Sequence, residues 1–372
     1  MNVLHSLAAL LLLLVIFVQP NLAHASRQIS YFPSTTASLP SLDPSSYEYT
    51  PSTASGYGES FYLNAFDDQG NVVTSLISIT NYNPFNKGMG SFDINWVEDG
   101  NVRTIHHEFD RDEITKDPIK GMTFGDNSYI KVGAKTTTLF YQGEDINGDD
   151  VEVHINMSHT ETGAQSGDSN IYLENNKDHY WGLKMIAPRG EVTAKLKSDG
   201  SLSTLKLKGY LDHGNATAKV PDFSDHWYRL IFFSDKWTID LHEITPKFIY
   251  GLKKPQMLYV AKNNQSIGMF ADWEYVDGGF VSHQYSPYDP PKRWELNLER
   301  DDLKIKGTVT VAKEVLAIDV LGSVSWAVRM LVKAFYSNAW QHYFLVDVAL
   351  TIEHNGITEQ VKGTGMATAE YY

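Results

Sequence analysis

The chain contains no cysteine, and this absence removes several kinds of chemistry at once. None of its 372 residues is Cys, so disulfides, thiolate nucleophiles and Cys-ligated metals are all excluded. Stability must therefore come from buried apolar surface and from strand pairing.

Concentrated positive charge is also missing. The formal net charge is −14, and no run of Lys or Arg is longer than two residues. Binding to phosphates of nucleic acid requires a basic face, and so does binding to an anionic membrane surface. The sequence therefore predicts no nucleic-acid partner and no membrane-surface partner.

The common signatures of cofactor and metal sites are absent as well. The sequence has no P-loop, no Gly-x-Gly-x-x-Gly fingerprint, no His-Glu-x-x-His and no Gly-x-Ser-x-Gly elbow. His106 and His107 are adjacent on a predicted strand, so their side chains diverge, and His154 with His159 matches none of these metal-binding motifs. We expect neither a cofactor nor a metal ion.

Aromatic residues, in contrast, are abundant. The chain has 21 Tyr, 17 Phe and 8 Trp, residue types that favour strands and line apolar pockets. This composition predicts β-structure with an interior, and the expected partner is a small hydrophobic molecule.

The first 25 residues have the features of a secretory signal peptide. An apolar run at residues 7–18 is too short to span a bilayer comfortably, and AHA at residues 23–25 fits a cleavage site; the alternative is an uncleaved anchor. Sequons at Asn156, Asn215 and Asn264 predict glycosylation. We expect a secreted or vesicular protein without stable membrane insertion after cleavage.

The rest of the chain predicts an all-β fold. Residues 26–58 are rich in Ser, Thr and Pro and are expected to be extended and poorly packed. Short strand-like segments then alternate with turns such as Asp99-Gly100, Asp199-Gly200 and Asn355-Gly356. Residues 279–284 are among the predicted strands, whereas residues 312–336 fit either a helix or two buried strands. The pattern predicts antiparallel barrels or sandwiches in two domains, residues 59–214 and 215–372.

Four segments, in order, resemble a known family. They are ESFYLNAFDD at 59–68, YWGLKMIAPRGEV at 180–192, GYLDHG at 209–214 and GTGMATAE at 363–370. They are similar to segments of the lipocalin-like carotenoid hydratases and the fungal Diels–Alderase and kievitone hydratase proteins. The resemblance implies two lipocalin-like β-barrels packed side by side, with a substrate pocket in or beside the first. It also implies chemistry on polyketide, isoprenoid or phenolic natural products.

The sequence departs from this family at one position of the Asp-His motif. Carotenoid hydratases continue it as Asp-His-x-Trp-Gly, whereas here Gly214-Asn215-Ala216 follows. Because a sequon begins at Asn215, we expect this segment to be a loop that faces solvent.

Two groups of residues are candidates for catalysis. Asp212 and His213 would transfer protons, since a carboxyl in an apolar pocket titrates near neutrality; alternatively, they cap a turn and lie at the surface. Tyr180 and Lys184 would polarise a substrate carbonyl. Six further residues are predicted to bind substrate, and ordinary core packing is the favoured alternative for the aromatic ones: Trp181, Arg189, Tyr210, Trp227, Trp273 and His342.

The resulting hypothesis is a cofactor-independent enzyme of natural-product biosynthesis. Its reaction would be a Diels–Alder or hetero-Diels–Alder cycloaddition, with or without prior dehydration to a quinone methide. The alternatives are a hydratase or dehydratase of a prenylated phenol or isoprenoid, and a lipocalin-like carrier without catalytic activity.

Overall fold

The computed structural model describes residues 27–35, 39, 42–50, 52, 54, 56–81, 88–280, 282–320 and 339–372. The predicted signal peptide lies outside these residues. Within the ambiguous segment 312–336, residues 312–319 belong to a strand and residue 320 follows it, whereas residues 321–336 lie outside the described part.

The first domain is one antiparallel sheet of twelve strands that curls into a nearly closed barrel. The strands are β1 (Gly58–Phe66), β2 (Val72–Thr80), β3 (Met89–Glu98), β4 (Asn101–Phe109), β5 (Ile114–Asp117), β6 (Gly121–Phe124), β7 (Ser128–Val132), β8 (Thr136–Glu144), β9 (Asp150–His159), β10 (Asn170–Leu173), β11 (Asn176–Ser198) and β12 (Ser201–Ala216). Their order is β4-β3-β2-β1-β12-β11-β9-β8-β7-β6-β5, with β10 paired to β11. The long strand β12 therefore lies between β1 and β11.

The second domain is a nine-stranded antiparallel half-barrel. A one-turn helix, α1 (Val220–Phe223), leads into it. The strands are β13 (Ser224–Phe233), β14 (Trp237–Pro246), β15 (Gln256–Lys262), β16 (Gln265–Phe270), β17 (Glu274–Gly278), β18 (Arg293–Glu299), β19 (Leu303–Asp319), β20 (Trp340–His354) and β21 (Ile357–Tyr371). Their order is β16-β15-β14-β13-β21-β20-β19-β18-β17.

These two sheets confirm the predicted all-β fold class of two lipocalin-like domains. The predicted turns close its hairpins, because Asp99, Asp199 and Asn355 each have φ between 51° and 52° and precede a glycine with φ between 77° and 79°. Positive φ at both central residues is the geometry of the tight turns that match strand twist.

Strand β1 shows why parts of the sequence read as continuous apolar runs. Phe61 and Leu63 pack in the core of the first barrel, whereas Tyr62 and Phe66 pack in a separate cluster that also contains Phe233 and Tyr343 of the second domain. Both faces of the strand are buried, so the usual alternation of apolar and polar residues is lost. The two domains therefore share an apolar core of their own.

A buried polar contact crosses the same boundary. Glu161, which follows β9, accepts a hydrogen bond from Tyr259 Oη at 3.0 Å and another from the hydroxyl of Thr238, both in the second domain. Because buried carboxylates need such donors, this contact fixes how the sheets face each other.

The described residues of segment 26–58, which we call the lead-in, are mostly extended, but the expectation that they are poorly packed is wrong. Asp43 caps a 3-10 helix at Pro44–Tyr47 through its side chain, and Leu42 and Tyr49 lie in the core of the first barrel. Ile29 pairs with Leu173 of the first sheet. The isolated apolar residues of this Ser- and Pro-rich segment are its anchors, since each buries surface although no periodic pattern links them.

The predicted strand at residues 279–284 is also wrong for the residues described there. After Gly278 the chain leaves the sheet, and the backbone N–H groups of Tyr285 and Ser286 donate to His283 Nδ1 at 3.2 and 2.8 Å. A side chain that accepts these bonds replaces strand pairing with a turn. We call residues 282–292 the histidine loop. No helix among the described residues is long and apolar enough to cross a membrane.

Candidate active site

A cavity of about 360 Å³ lies between the two domains. Strands β1, β11 and β12 of the first domain and β13, β20 and β21 of the second supply most of its wall. Its lining includes Tyr62, Trp181, Asp212, Trp227, Arg229, Gln341, Glu370 and Tyr372. Its volume falls within the range of small-molecule sites.

The alternation of β12 decides which half of the Asp-His pair reaches this cavity. Successive residues of a strand point to opposite faces. Asp212 lines the cavity, whereas His213 points into the first barrel, where it stacks on Phe61 with ring centroids 4.3 Å apart. His213 Nε2 lies 2.8 Å from Glu59 Oε1, and its Nδ1 donates to the carbonyl of Ser46 at 2.8 Å. Through these contacts the buried His213 side chain holds the lead-in against the first barrel.

Asp212 forms a buried ion pair across the domain boundary. Its Oδ2 lies 3.0 Å from Arg229 Nη2, and both side chains are only 3% exposed. The guanidinium also lies over the rings of Tyr62, Trp227 and Tyr210, at 4.6, 5.3 and 5.5 Å. Aromatic faces stabilise a cation that has lost water, so Arg229 keeps its charge in this apolar wall.

A second carboxyl stands near the same cation. Glu370 of β21 accepts hydrogen bonds from Tyr372 Oη and from Gln341 Nε2, the latter at 3.4 Å. Gln341 Oε1 in turn accepts from Tyr343 Oη at 3.1 Å, and the hydroxyls of Tyr343 and Tyr62 lie 2.9 Å apart. One network of hydrogen bonds thus connects both domains around the cavity.

The network contains two carboxyl groups but only one guanidinium, and the pKa values of both carboxyls are shifted. Burial raises the pKa of Asp212 and of Glu370, and in both cases Arg229 opposes the shift only in part. Burial disfavours the charge on Arg229 too, but the carboxyl of Asp212 nevertheless raises the pKa of the guanidinium above its ordinary value. A single cation cannot neutralise two buried carboxylates, so the site favours keeping a proton on one of them.

Several polar atoms of the site have no hydrogen-bond partner among the described residues. They include Arg229 Nε and Nη1, and Asp212 Oδ2, whose contact with Arg229 is an ion pair without hydrogen-bond alignment. Buried polar groups are normally satisfied. These atoms are themselves buried, so a ligand in the cavity would reach them only after the side chains that cover them moved aside.

Indole rings form the apolar side of the site. Trp181 and Trp227, one from each domain, meet edge to face with centroids 4.7 Å apart, an arrangement that aromatic pairs prefer. The cavity therefore combines a flat apolar surface with one acid–base cluster.

Of the ten residues predicted for catalysis or binding, the structure brings three to the cavity: Asp212, Trp181 and Trp227. Tyr210 lies behind them, fully buried, with its hydroxyl 3.3 Å from His242 Nε2. Burial and the Asp212 carboxyl raise its pKa well above the ordinary value for tyrosine.

The other predicted residues lie elsewhere. Lys184 Nζ donates to Ser46 Oγ at 3.2 Å on the barrel side of β11, together with His213. Tyr180 is half-buried, and its ring lies 6.4 Å from Tyr172. Arg189 stands over the ring of Phe233 at 5.6 Å.

Trp273 and His342 belong to the second domain. Trp273 packs edge to face on Tyr275 in its core. His342 is completely buried and contacts the histidine loop.

The expectation of a solvent-facing loop at Asn215 is wrong. Asn215 lies within β12, paired with Glu59 and Gly182, and it is half-buried at the cavity. Two sheet partners hold this segment as a central strand, which the sequon could not reveal.

Sequence reasoning missed the two residues that give the site its charge, Arg229 and Glu370. Each is a lone ionised residue in an otherwise apolar stretch, YRLIFF at 228–233 and MATAE at 366–370. Isolated charges in strands with buried faces are rarely accidental, because they need a partner. That pattern was available as a signal, but the sequence does not show which partner each charge meets.

In each histidine pair considered for metal binding, one ring bonds a carboxylate. His106 Nδ1 bonds Asp93 at 2.6 Å and His154 Nε2 bonds Glu152 at 3.1 Å, both at the surface of the first domain. Among the described residues, the three donors that approach a ligand arrangement are His283, Glu314 and His342, outside this cavity.

The comparisons with known proteins identify structural relatives at low sequence identity. No family model matches the sequence, and no curated protein matches it. A crystal structure of CghA with Sch210972 aligns with a TM-score of 0.55 at 12% identity, covering 93% of this chain and 98% of that one. Kievitone hydratase from Nectria haematococca aligns with a TM-score of 0.52 at 12% identity, covering 93% and 97%. A putative AttH protein from Nitrosomonas europaea gives 0.53 at 10%, covering 84% and 92%.

These alignments extend over both domains and nearly the full length of the relatives. The chain thus has the two-domain lipocalin-like fold that CghA and kievitone hydratase share, as its four sequence segments indicated.

Proposed function

We propose that the chain is an enzyme that binds a small, mostly apolar molecule between its domains and transforms it there. One observation carries this proposal: the Asp212 carboxyl, with its raised pKa, shares an aromatic-walled cavity with the Arg229 guanidinium. Perturbed ionisable groups inside a ligand-sized cavity are typical of catalytic sites. Kievitone hydratase, which by its name hydrates a small molecule, shares the fold.

The first reaction that we propose is a Diels–Alder or hetero-Diels–Alder cycloaddition. The guanidinium of Arg229, which is part of the cavity wall, would turn to donate to a carbonyl oxygen of the substrate, drawing electron density from the conjugated system. The indoles of Trp181 and Trp227 would hold diene and dienophile against each other. Confinement of this kind can contribute about 7–11 kcal/mol to lowering a barrier.

Asp212 extends this reaction to substrates that must first lose water. Its protonated carboxyl would give the proton to a leaving hydroxyl, the C–O bond would break, and water would depart. The resulting carboxylate would then take the proton of a phenol on the same substrate, which leaves a neutral quinone methide and restores the acid. The quinone methide would be the heterodiene.

The cycloaddition is tested with a linear substrate that carries a conjugated diene and a tethered dienophile, and whose uncatalysed cyclisation gives a known mixture of stereoisomers. We expect the protein to accelerate closure and to change the isomer ratio, with the mass of the product equal to that of the substrate. Trp181→Ala should reduce both effects. A rate and a ratio identical to those in buffer would contradict the proposal.

A second candidate is hydration or dehydration of a prenylated phenol or isoprenoid. The raised pKa of Asp212 specifically favours it, because burial increases the protonated fraction of this carboxyl and only the protonated form can give a proton to an alkene carbon. Water would then attack the cation, and the carboxylate would accept the proton that this water loses.

Asp212→Asn tests the hydratase directly. The variant should lose at least about 100-fold in hydration rate, the usual range for a general acid, while ligand binding measured by tryptophan quenching persists. Incubation in isotopically labelled water should place solvent oxygen in the product. An unchanged rate would remove Asp212 from the mechanism, and tight binding without any turnover would instead indicate a carrier.

A further inference from the structure

A second set of polar residues lies in the second domain, away from the interface cavity. It contains Ser286 and His283 of the histidine loop, Glu314 of β19 and His342 of β20. His342 Nε2 lies 3.1 Å from Ser286 Oγ, and its Nδ1 lies 2.7 Å from Glu314 Oε1. The order hydroxyl, imidazole, carboxylate is that of a nucleophile, its base and the group that orients the base.

The hydrogen-bond partners fix the direction of this chain of contacts. The backbone N–H of Tyr288 donates to Ser286 Oγ at 3.1 Å. Since this bond uses an acceptor position of the hydroxyl, its proton is free to point at His342 Nε2. The carboxylate of Glu314 accepts from His342 Nδ1–H, which leaves Nε2 as the lone-pair nitrogen. These proton positions are compatible with one another, and they leave His342 Nε2 able to accept the serine proton, as a general base must.

His283 completes the arrangement by holding the second oxygen of the carboxylate. Its Nδ1 accepts from two backbone N–H groups, so its proton lies on Nε2, which donates to Glu314 Oε2 at 3.0 Å. A metal ion bound between His283, Glu314 and His342 would need a lone pair at that Nε2 instead. The backbone therefore favours a proton relay over a metal site.

Two irregularities in the pairing of β19 with β20 position the side chain of Glu314. The register between β19 and β20 shifts between Val311 and Lys313 and again between Glu314 and Leu316. Bulges redirect side chains, and here the carboxylate meets His342, which lies on the neighbouring strand and is fully buried.

A cavity of about 380 Å³ opens beside these residues. His283, Tyr285, Lys292, Val311, Glu314 and Phe344 are among its lining residues. Ser286 follows Tyr285 directly and keeps 7% of its surface exposed. The space would admit a small acyl group. Its lining includes Glu314 and His283 but not Ser286, so the acyl group would approach the serine past His283 and Tyr285.

From this geometry we propose that Ser286, His342 and Glu314 form a second catalytic site that hydrolyses small acyl esters. Ser286 Oγ attacks the carbonyl carbon while its proton moves to His342 Nε2. The C–O bond to the alcohol breaks, and His342 returns that proton to the departing oxygen, which leaves an acyl-serine. Water then attacks the acyl group, again with His342 as base, and releases the acid and the free serine. Glu314 and His283 are positioning residues.

The test uses the full chain, a fluorophosphonate probe and p-nitrophenyl acetate. We expect covalent labelling of Ser286, mapped by mass spectrometry, and a burst of nitrophenol release. Ser286→Ala should abolish both. His342→Gln should slow labelling by at least about 100-fold, in line with the loss of a general base.

Two additional variants separate catalysis from folding. Glu314→Gln should slow labelling and change the pH profile of its rate, which a merely structural residue would not do. Ser128→Ala is the matched control, because Ser128 is also buried but its hydroxyl accepts only a weak bond from the backbone of Gln142; this variant should be labelled like the parent chain. Circular dichroism verifies the fold of each variant.

Two outcomes would overturn the proposal. One is a folded parent chain that takes up no probe at Ser286. The other is esterase activity that survives Ser286→Ala but is removed by a chelator, which would indicate a metal ion on the two histidines. Neither outcome affects the interface cavity, so this test is independent of the function proposed there.

Discussion

Replacing Arg229 with methionine should reveal how strongly the interface charges depend on one another. The substitution keeps most of the side-chain volume but leaves Asp212 and Glu370 buried without their cation. Removing one partner of a buried ion pair typically costs about 3–5 kcal/mol. Since both carboxyls face the same guanidinium, we expect the loss at neutral pH to lie in the upper part of this range.

The loss of stability caused by Arg229→Met should also depend on pH. The pKa shifts of the two carboxyls give the direction of this dependence. Burial raises the pKa of Asp212 and of Glu370 above the unfolded-state values near 3.8 and 4.5. The folded state therefore binds more protons than the unfolded state in the window above those values, and stability falls as pH rises through it. Without Arg229 the pKa values rise further, so the penalty at neutral pH grows. At about pH 3 and below it should largely disappear, because both groups are then mostly protonated in the folded and in the unfolded state.

Urea unfolding followed by tryptophan fluorescence measures this effect, since Trp181 and Trp227 lie at the interface. Arg293→Met is the matched control: Arg293 pairs with Glu295 at 2.9 Å, but both side chains are more than half exposed, and such pairs contribute at most about 1 kcal/mol. Equal losses for the two variants at neutral pH, or a loss for Arg229→Met that persists at acidic pH, would refute the reasoning.

Two other predictions concern the first domain. Glu59→Gln should destabilise the chain by about 3 kcal/mol, because Glu59 accepts a hydrogen bond from Tyr57 Oη at 2.6 Å and contacts His213 at 2.8 Å. Proteolysis during urea unfolding should cleave the lead-in of this variant faster than that of the parent chain. Unchanged cleavage would argue against the prediction. In a secreting host, glycans should map by mass spectrometry to Asn156 and Asn264, which are exposed, but not to Asn215, which is half-buried within β12. A fully occupied Asn215 would contradict this placement.

The sequence predicted the fold well because hairpin turns and strand patterns are local signals. Asp-Gly and Asn-Gly pairs require the positive φ angles that the structure shows at Asp99, Asp199 and Asn355. Asp212 was predicted to be catalytic from the resemblance; the structure places it in a buried ion pair at the cavity, and its catalytic role stays a prediction.

What the sequence did not reveal depends on distant contacts. Arg229 and Glu370 acquire their roles from a domain boundary that no local pattern describes. The lead-in was misjudged because Leu42 and Tyr49 are isolated apolar residues whose burial depends on a barrel formed later in the chain. Residues 279–284 alternate like a strand, yet His283 captures the backbone N–H groups of the following turn.

The two faces of strand β12 contact different parts of the protein. Tyr210, Asp212 and Gly214 face the second domain, whereas Leu211 and His213 face the interior of the first. Selection for a new substrate would act on the first set, and selection for a robust protein would act on the second. Because the two sets alternate one by one, substitutions in the first set would change the wall of the cavity while the interior of the barrel keeps its side chains.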